Sequence, residues 1–229
     1  MKVVLFWSGG KDSAMALYLL KQNPNVEIIA LLSTLNSDSY RISMHEISEK
    51  LLNRQTKQLG FPHLKMWVKG QPDHNSYAEA FLEICSQLKH MGADTLVFGD
   101  IFLQDIRSYR EKLAESAGFG TYFPLWDLTS EKLVKIFYEG SFQAIICCVQ
   151  ENKLGTDWLG KKLNKEFFSL IPEGIDAFGE NGEYHTFCFE GSIFKKPISF
   201  EIAEVIPNSL ILKPSEDLEE IRFIHLDLL

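Results

Sequence analysis

The sequence predicts an α/β protein in which a doubly wound parallel sheet is followed by a smaller α+β C-terminal domain. Three observations predict this class. In the first half of the 229 residues, short apolar runs alternate with amphipathic helical patterns. The first apolar run passes through a pair of glycines directly into a helix. After about residue 127 the alternation gives way to shorter segments that are typical of antiparallel strands. We therefore expect one domain over residues 1–127 and a second over residues 128–229.

The strands of the first half are nearly continuous apolar runs, which is the pattern of a parallel sheet covered on both faces. The predicted strands are residues 2–6, 26–32, 64–68 and 95–98. The predicted helices are residues 11–22, 45–59, a segment that starts at residue 76, and residues 104–117. Ligands of such sheets bind at the carboxyl ends of the strands. The segments that follow these strands are therefore where we expect a site.

Capping residues predict where two of these helices begin. Ser43 and Glu46 form a capping-box pair, so the second helix is expected to start near His45. Ser76 with Glu79 predicts the start of the third helix in the same way.

The second half is predicted to combine two helices with antiparallel strands. Helices are expected over residues 130–138 and 158–170, with a strand over residues 142–149 between them. Three alternating segments have the pattern of further strands: residues 198–205, 210–213 and 221–229. Because no low-complexity linker separates the halves, we expect the second domain to pack tightly on the first, with a cleft between them.

Composition excludes several classes of protein. Lys and Arg total 23 against 31 Asp and Glu, a net charge of −8, which disfavours general nucleic-acid binding. No apolar run approaches the roughly 18 residues of a membrane helix. The start of the sequence lacks a signal-peptide layout, so we expect a cytoplasmic protein. The four cysteines form no C-x-x-C pair, which indicates buried thiols rather than a zinc or redox motif.

The segment behind the first strand has the anatomy of a phosphate-binding loop. It consists of Ser8, Gly9, Gly10, Lys11, Asp12 and Ser13. Glycines let the backbone approach an anion closely, and the free N–H groups of the first helical turn point at it. The lysine adds positive charge, and the serines add hydroxyl donors. The spacing differs from that of a Walker loop. The alternative is an ordinary Gly-Gly turn before a helix.

A second motif lies near residue 180 and reads Gly-Glu-Asn-Gly-Glu-Tyr-His-Thr. Its glycines permit a tight turn, and it presents two carboxylates and an imidazole within six residues. Glu183 and His185 share the parity of a strand and are expected to face the same side. Such carboxylates can bind ammonium, hold a cationic substrate or act as a general base. The alternative is a polar hairpin turn.

Together the two motifs resemble the diphthine–ammonia ligase family of the ATP pyrophosphatase-loop superfamily. The resemblance covers residues 3–194. Further stretches match in order, namely Met44-His45-Glu46, Gly99-Asp100-Ile101 with Arg107 and Glu111, Pro124-Leu125-Trp126, Leu159-Gly160, and Gly191 with Ile193-Phe194. The resemblance implies an adenine nucleotide alpha hydrolase-like fold. It also implies use of ATP and ammonium to convert a carboxylate, diphthine on elongation factor 2 or a related acceptor, into an amide, with Mg²⁺ as cofactor.

The resemblance also implies roles for particular residues. Those expected to bind the nucleotide are Ser8, Gly9, Gly10, Lys11, Asp12, Ser13, Ser33, Thr34, His45, Gly99 and Asp100. Those expected at the substrate or ammonium end are Arg107, Glu111, Glu180, Asn181, Gly182 and Glu183. Those expected to be catalytic are Lys11, Asp12, Glu183 and His185. Arg107 and Glu111 are alternatively a surface ion pair on one helix.

Two other functions remain open from the sequence. One is a pyrophosphatase-loop enzyme that modifies RNA, against which the acidic charge and the missing C-x-x-C pairs count. The other is a non-enzymatic ATP sensor, which would bind ATP without releasing AMP. The identity of the carboxylate acceptor, the metal ligands and the existence of a homodimer also stay open.

Overall fold

The computed structural model describes residues 1–70, 74–212 and 220–229. The strands are β1 Lys2–Phe6, β2 Glu27–Asn36, β3 Arg41–Ile42, β4 His63–Val68, β5 Thr95–Val97, β6 Gly120–Tyr122, β7 Gln143–Gln150, β8 Tyr184–Glu190, β9 Ile202–Leu212 and β10 Ile221–Leu228. The helices are α1 Lys11–Gln22, α2 Glu49–Leu59, α3 His74–His90, α4 Gln104–Ser116, α5 Ser130–Glu139 and α6 Lys165–Leu170, with a 3₁₀ turn at Thr156–Trp158.

The first six strands form one sheet with β1 near its centre. Strand β1 pairs in parallel with β2 on one edge and with β5 on the other. Strand β4 continues the parallel sheet beyond β2, and β6 continues it beyond β5. The chain therefore winds outward first on one side of β1 and then on the other. The change of direction lies between β1 and β5, the position where open α/β sheets bind ligands.

Helices cover both faces of this sheet, because successive side chains of a strand point to opposite faces. Val3 and Leu5 of β1 belong to a core that includes side chains of α1 and α2. Val4, between them, belongs to a second core with side chains of α3 and α4. This arrangement confirms the doubly wound α/β class. The antiparallel pairing of β3 with the end of β2 is the one departure from parallel order among the described strands of this sheet.

The second half contains a four-stranded antiparallel sheet in the order β8-β7-β10-β9, which confirms the predicted α+β architecture. Ile146 of β7 and Phe187 of β8 belong to the same core as Val3 and Leu5. One hydrophobic core therefore runs from the parallel sheet, through α1, to the antiparallel sheet. The edge strand β8 lies against α1, and this contact brings the second motif to the glycine loop.

The second helix begins later than predicted. Met44 and Glu46 have φ angles of 68° and 56°, in the left-handed region that a right-handed helix excludes. Helix α2 begins only after Ser48, whose Oγ accepts a backbone N–H of the first turn at 3.3 Å. The capping box predicted over residues 43–46 is therefore wrong. His45 lies in a tight turn that precedes the helix.

Other boundaries also differ from prediction. Helix α3 begins at His74, so Ser76 lies inside its first turn and is not its cap. The helix predicted over residues 158–170 is interrupted by Gly160, whose φ is 76°, and only α6 remains helical there besides the 3₁₀ turn. Strand β2 continues to Asn36 because it forms a hairpin with β3.

Within the described residues, the tail forms two strands where three were predicted. Residues 202–205 and 210–212 of the expected segments belong to one strand, β9, residues 198–201 precede it outside any strand, and Lys213 lies outside the described residues. All four cysteines are buried and free of disulfide bonds. Within the described ranges, none of the helices combines the length and the apolar character needed to cross a bilayer.

Candidate active site

The glycine loop between β1 and α1 exposes backbone donors. Ser8 Oγ accepts the N–H of Gly10 at 3.3 Å, and Ser13 Oγ donates to the carbonyl of Gly10 at 3.0 Å. These two bonds fix the turn and hold both hydroxyls together. In the described part of the chain, the backbone N–H groups of Asp12 and Ser13 have no acceptor. Free donors at a helix N-terminus form an anion-binding site.

Strand β8 holds this loop from the second half of the chain. Its Cys188 N–H donates to the carbonyl of Gly9 at 2.9 Å. Its Thr186 Oγ1 accepts the N–H of Lys11 at 3.0 Å. Both bonds join residues more than 170 positions apart in sequence, for example 175 for Lys11 and Thr186. The loop is therefore shaped by both halves of the molecule.

Gln55 of α2 adds a buried amide to the same junction. Its Nε2 donates to the carbonyl of Gly9 at 2.9 Å and to that of Cys188 at 2.6 Å. Its Oε1 accepts the indole N–H of Trp7 at 2.7 Å. A fully buried side chain that makes three hydrogen bonds fixes the end of β1, the glycine loop and β8 relative to one another.

At two positions of the site, neighbouring segments approach the backbone so closely that only glycine fits. A Cβ on Gly10 would lie 2.5 Å from Cε1 of His45 and 3.1 Å from the carbonyl oxygen of Thr186. A Cβ on Gly99, directly after β5, would lie 3.2 Å from the backbone carbon of Asp12. The chain can bring β5, α1 and β8 together only because side chains are missing at these two positions.

A cavity of about 440 Å³ opens at the carboxyl ends of β1, β2 and β5 and is closed on one side by β8. One part of its wall is apolar and includes Phe6, Leu32, Ile42, Val68 and Phe98. The other part is polar and contains most of the predicted site residues. Those that line it are Ser8, Lys11, Asp12, Ser13, Thr34, His45, Gly99, Asp100, Glu180 and His185.

The other predicted residues do not line this cavity. They are Gly9, Gly10, Ser33, Arg107, Glu111, Asn181, Gly182 and Glu183. Ser33 is buried and donates to the carbonyl of Trp7, so it supports the end of β1. Arg107 pairs with Glu111 at 2.7 Å and stacks on Trp126, with its guanidinium carbon 4.5 Å from a ring centroid. This geometry matches the surface ion pair that the sequence left open.

Three carboxylates face the cavity in different electrostatic situations. Asp12 lies 2.9 Å from Nζ of the buried Lys11, and Asp100 lies 3.0 Å from Nε of Arg110. Burial raises the pKa of Asp12, and Lys11 opposes that shift. Burial, reinforced by the negative charges of Asp12 and Asp100, raises the pKa of Glu180 to about 7. Mutual repulsion and desolvation therefore favour a cation or a proton at this position.

Two histidines lie against each other at the same wall, His45 and His185, with ring centroids 4.8 Å apart and ring planes inclined by 42°. Burial lowers the pKa of His45 to about 4, and burial with the neighbouring His45 lowers the pKa of His185 well below its ordinary value. Both rings are neutral at pH 7. His45 Nδ1 is 3.0 Å from the carbonyl of Thr186 and therefore carries the proton there. Within the described residues, Nε2 of His185 is buried without a hydrogen-bond partner, and His185 lines the cavity.

The second motif forms a turn that its own carboxylates organise. Asp176 Oδ2 accepts the N–H groups of Phe178 at 3.1 Å and Glu180 at 2.9 Å. Glu183 Oε1 accepts the N–H of Asp176 and the amide of Asn181, both at 3.1 Å. Glu183 is 1% exposed and precedes β8, so strand parity does not apply to it. Glu183 does not line the cavity that His185 lines.

Some residues of the wall were not singled out as site residues from the sequence. Arg110, Tyr77 and Thr186 received no role there, yet all three line the cavity. The signal for Arg110 lay one helical turn beyond Arg107, on the same face of α4. No local signal identifies Thr186 as a loop contact, because its partner lies at the other end of the sequence.

Comparisons with known proteins match both halves. The family model described as the diphthamide synthase N-terminal domain matches residues 1–121, and the one described as the diphthamide synthase C-terminal domain matches residues 129–208. Curated proteins named diphthine–ammonia ligase, from Bos taurus and Homo sapiens, are each 34% identical over 90 residues. Those alignments cover 37% of this chain and 34% of each relative, so the match spans about a third of the relatives' length.

One solved structure also aligns with the chain. It is described as a predicted subunit of tRNA methyltransferase from Methanocaldococcus jannaschii. The alignment has a TM-score of 0.39 and 21% sequence identity, and it covers 65% of this chain and 79% of that one.

Proposed function

This chain belongs to the diphthamide synthase family, and on that premise we propose that it is an ATP-dependent, AMP-forming ligase. It joins ammonium to a carboxylate, that of diphthine on elongation factor 2 or of a related acceptor, and releases AMP and pyrophosphate. One observation carries the proposal. A loop with free N–H donors and a buried lysine faces a carboxylate-bearing turn across a single cavity.

The triphosphate binds at the glycine loop. The unpaired N–H groups of Asp12 and Ser13 and the hydroxyl of Ser8 support this, because all three offer donors to phosphate oxygens. The apolar wall next to Thr34 suits the adenine ring. The volume of about 440 Å³ lies within the range of small-molecule sites.

The chemistry follows from the poor reactivity of a carboxylate. Its carbon resists ammonia because the leaving group would be oxide. Attack of a carboxylate oxygen on the α-phosphorus forms an acyl adenylate and releases pyrophosphate. Ammonia then attacks the acyl carbon, the carbon–oxygen bond to AMP breaks, and the amide forms. Lys11 stabilises the negative charge that develops on the phosphates. His185 offers a neutral ring nitrogen to the same region.

Mg²⁺ accompanies ATP in this proposal. In the described ranges, no group of three or more His, Cys, Asp or Glu side chains converges to hold a metal ion. That fits Mg²⁺, which is commonly held through substrate phosphates and water rather than by an all-protein cage. The ion would offset phosphate charge, and we assign no protein ligand to it.

The first test is an assay for AMP and pyrophosphate. Protein is incubated with ATP, Mg²⁺ and ammonium, with and without diphthine-bearing elongation factor 2. We expect AMP and pyrophosphate only when the acceptor is present. Release of ADP and orthophosphate would contradict the proposal. ATP binding without AMP release, with every carboxylate tried, would instead indicate a nucleotide sensor.

A second test removes the lysine of the loop. We expect Lys11→Ala to lower the rate of AMP formation by about 100- to 1,000-fold, the usual effect of losing a fixed donor to a developing anion. Lys21→Ala, in the last turn of the same helix, is the matched control and leaves the rate unchanged. Circular dichroism establishes that both variants are folded. Near-normal turnover by the folded Lys11→Ala variant would exclude the role.

A further inference from the structure

We propose that Glu180 is the base that removes a proton from ammonium, so that neutral ammonia attacks the activated carboxylate. The inference rests on the proposed function, since it concerns the nucleophile of that reaction. Ammonium has no lone pair and cannot attack carbon, so an ammonium-using ligase needs a proton acceptor beside the bound ion. The geometry of the cavity points to Glu180 for this task.

The position of Glu180 is fixed from both ends. Its Oε1 accepts the N–H of Ile101 at 2.7 Å, in the segment that follows β5. Its own backbone N–H donates to Asp176 Oδ2 at 2.9 Å. The carboxylate is thus held between the parallel sheet and the turn of the second motif while it lines the cavity. A base must be held in this way to transfer a proton over hydrogen-bond distance.

Glu180 also differs from its acidic neighbours in its partners. Asp12 is paired with Lys11 at 2.9 Å, and Asp100 with Arg110 at 3.0 Å. Among the described residues, no Lys, Arg or His nitrogen lies within ion-pair distance of the Glu180 carboxylate. An ammonium ion would supply the positive charge that this carboxylate lacks. The positive charges of Lys11 and Arg110 are already paired with Asp12 and Asp100.

The charges around Glu180 suit a proton acceptor. Asp12 on α1 and Asp100 after β5 are negative, whereas Lys11 on α1 is positive and opposes them. Burial and the two aspartates raise the pKa of Glu180 to about 7, close to neutral pH, where general bases work best. The neighbouring histidines are weaker bases, since burial lowers the pKa of His45 to about 4 and that of His185 well below its ordinary value.

The protons balance as follows. Ammonium transfers one proton to the Glu180 carboxylate and becomes ammonia. The ammonia lone pair forms the carbon–nitrogen bond, and the electrons of the carbon–oxygen bond leave with AMP. After the carbon–nitrogen bond has formed, the nitrogen loses a second proton, which the phosphate of the departing AMP accepts. Glu180 then returns its proton to water, and no oxidant or reductant takes part.

Hydroxylamine separates this role from a structural one, because it is largely uncharged at pH 7 and needs no deprotonation before attack. With diphthine-bearing elongation factor 2 as acceptor, we expect Glu180→Gln to lower ammonium-dependent kcat by about 100-fold or more. The hydroxylamine-dependent rate stays near that of the wild type. Glu173→Gln, an exposed site a few residues earlier, is the control and changes neither rate. Equal loss with both nucleophiles would overturn the proposal.

A direct titration tests the same residue without an acceptor. In protein labelled with ¹³C at glutamate carboxyls, the signal missing from Glu180→Gln identifies Glu180, and we expect it to titrate near pH 7. A midpoint in the ordinary range of glutamate, near 4.3, would overturn the proposal. If the wild type fails to form AMP with ammonium, the proposed function fails. If the wild type is active but hydroxylamine does not rescue the variant, only the role of Glu180 fails.

Discussion

His225 is a buried polar side chain with unsatisfied ring nitrogens. In the described part of the chain neither nitrogen has a hydrogen-bond partner, although the side chain is only 4% exposed. Burial, reinforced by the positive charge of Arg41, lowers the pKa of His225 to about 4. At pH 7 the ring of His225 is therefore neutral, and the folded state does not bear the cost of desolvating a charged imidazolium. Such a residue destabilises the folded state, and it does so more strongly in acid.

The sign of the pH effect follows from that pKa. An unfolded histidine binds a proton as the pH falls below about 6.5, whereas folded His225 stays neutral until about pH 4. The free energy of unfolding therefore falls between pH 6.5 and 4. We expect His225→Leu to raise it by about 1–3 kcal/mol at pH 7. That gain should grow by about 2 kcal/mol at pH 5.

Urea unfolding at pH 7 and pH 5 measures both effects. His90→Leu is the control, because His90 is exposed at the end of α3, where its Nδ1 lies 2.8 Å from the carbonyl of Ser86. Because the side chain of His90 is exposed, we expect this control to change the free energy of unfolding little at either pH. Parallel stability profiles for the wild type and His225→Leu would show that His225 does not carry the effect.

At the scale of single elements, the packing of the glycine loop requires that residue 10 has no Cβ atom. Its φ of −86° is ordinary, so the constraint is space and not backbone conformation. A Cβ would meet the His45 ring at 2.5 Å, and that ring cannot move freely because it bonds the carbonyl of Thr186 at 3.0 Å. The glycine loop, the tight turn over residues 43–48 and β8 can therefore pack this closely only if residue 10 has no side chain beyond a hydrogen atom.

We accordingly expect Gly10→Ala to lower the free energy of unfolding by about 1–3 kcal/mol, because overpacking displaces neighbours. On the proposed function, it should also weaken ATP binding by about tenfold or more, roughly 1.4 kcal/mol. Gly155→Ala is the matched control, since its φ of −70° is ordinary and no atom lies within 4 Å of the new Cβ. Thermal unfolding and calorimetric titration with ATP are the measurements. Equal behaviour of the two variants would contradict the packing argument.

Local sequence patterns predicted helices and strands well where residues adjacent in sequence determine the backbone conformation. The bounds of β1 and α1 follow directly from an apolar run, a glycine pair and an amphipathic helix. The turn over residues 43–48 was missed because Met44 and Glu46 take left-handed backbone conformations that no residue type announces. Its shape is decided by β8 and the glycine loop, which are distant in sequence.

The same limit holds for the site. Lys11, Asp12 and Glu180 were found because they stand in recognisable motifs, and they do line one cavity. Arg110 and Thr186 were not singled out, because each contributes to the site through a contact with another segment. Arg110 pairs with Asp100, and Thr186 accepts the N–H of Lys11. Sequence patterns identify residues that a short segment positions, and a folded structure is needed for those that two segments position together.

At the scale of the whole molecule, the two halves share a core and a buried amide. Gln55 bonds Trp7, Gly9 and Cys188 at once, and it is completely buried. Each half would leave polar groups without partners if it opened alone. We therefore expect the chain to unfold in a single transition, although it contains two sheets.

We expect Gln55→Ala to lower the free energy of unfolding by about 3 kcal/mol or more, because it leaves the indole N–H of Trp7 and the carbonyl of Cys188 buried without partners and removes one of the two donors to the carbonyl of Gly9. Gln58→Ala, in the same helix, is the control, since its contact across the junction is made by its backbone carbonyl to Lys195 N–H. Urea unfolding followed by tryptophan fluorescence and by circular dichroism tests both points. Two separate transitions, or equal stability of both variants, would refute the coupling.

The bond between the Cys188 N–H and the carbonyl of Gly9 joins main chain to main chain. Such a contact is indifferent to which side chain stands at residue 188. A substitution at residue 188 therefore keeps this contact with the loop, provided that it is not to proline, which removes the donor. The bonds that the side chains of Thr186 and Gln55 make at the same junction have no such tolerance.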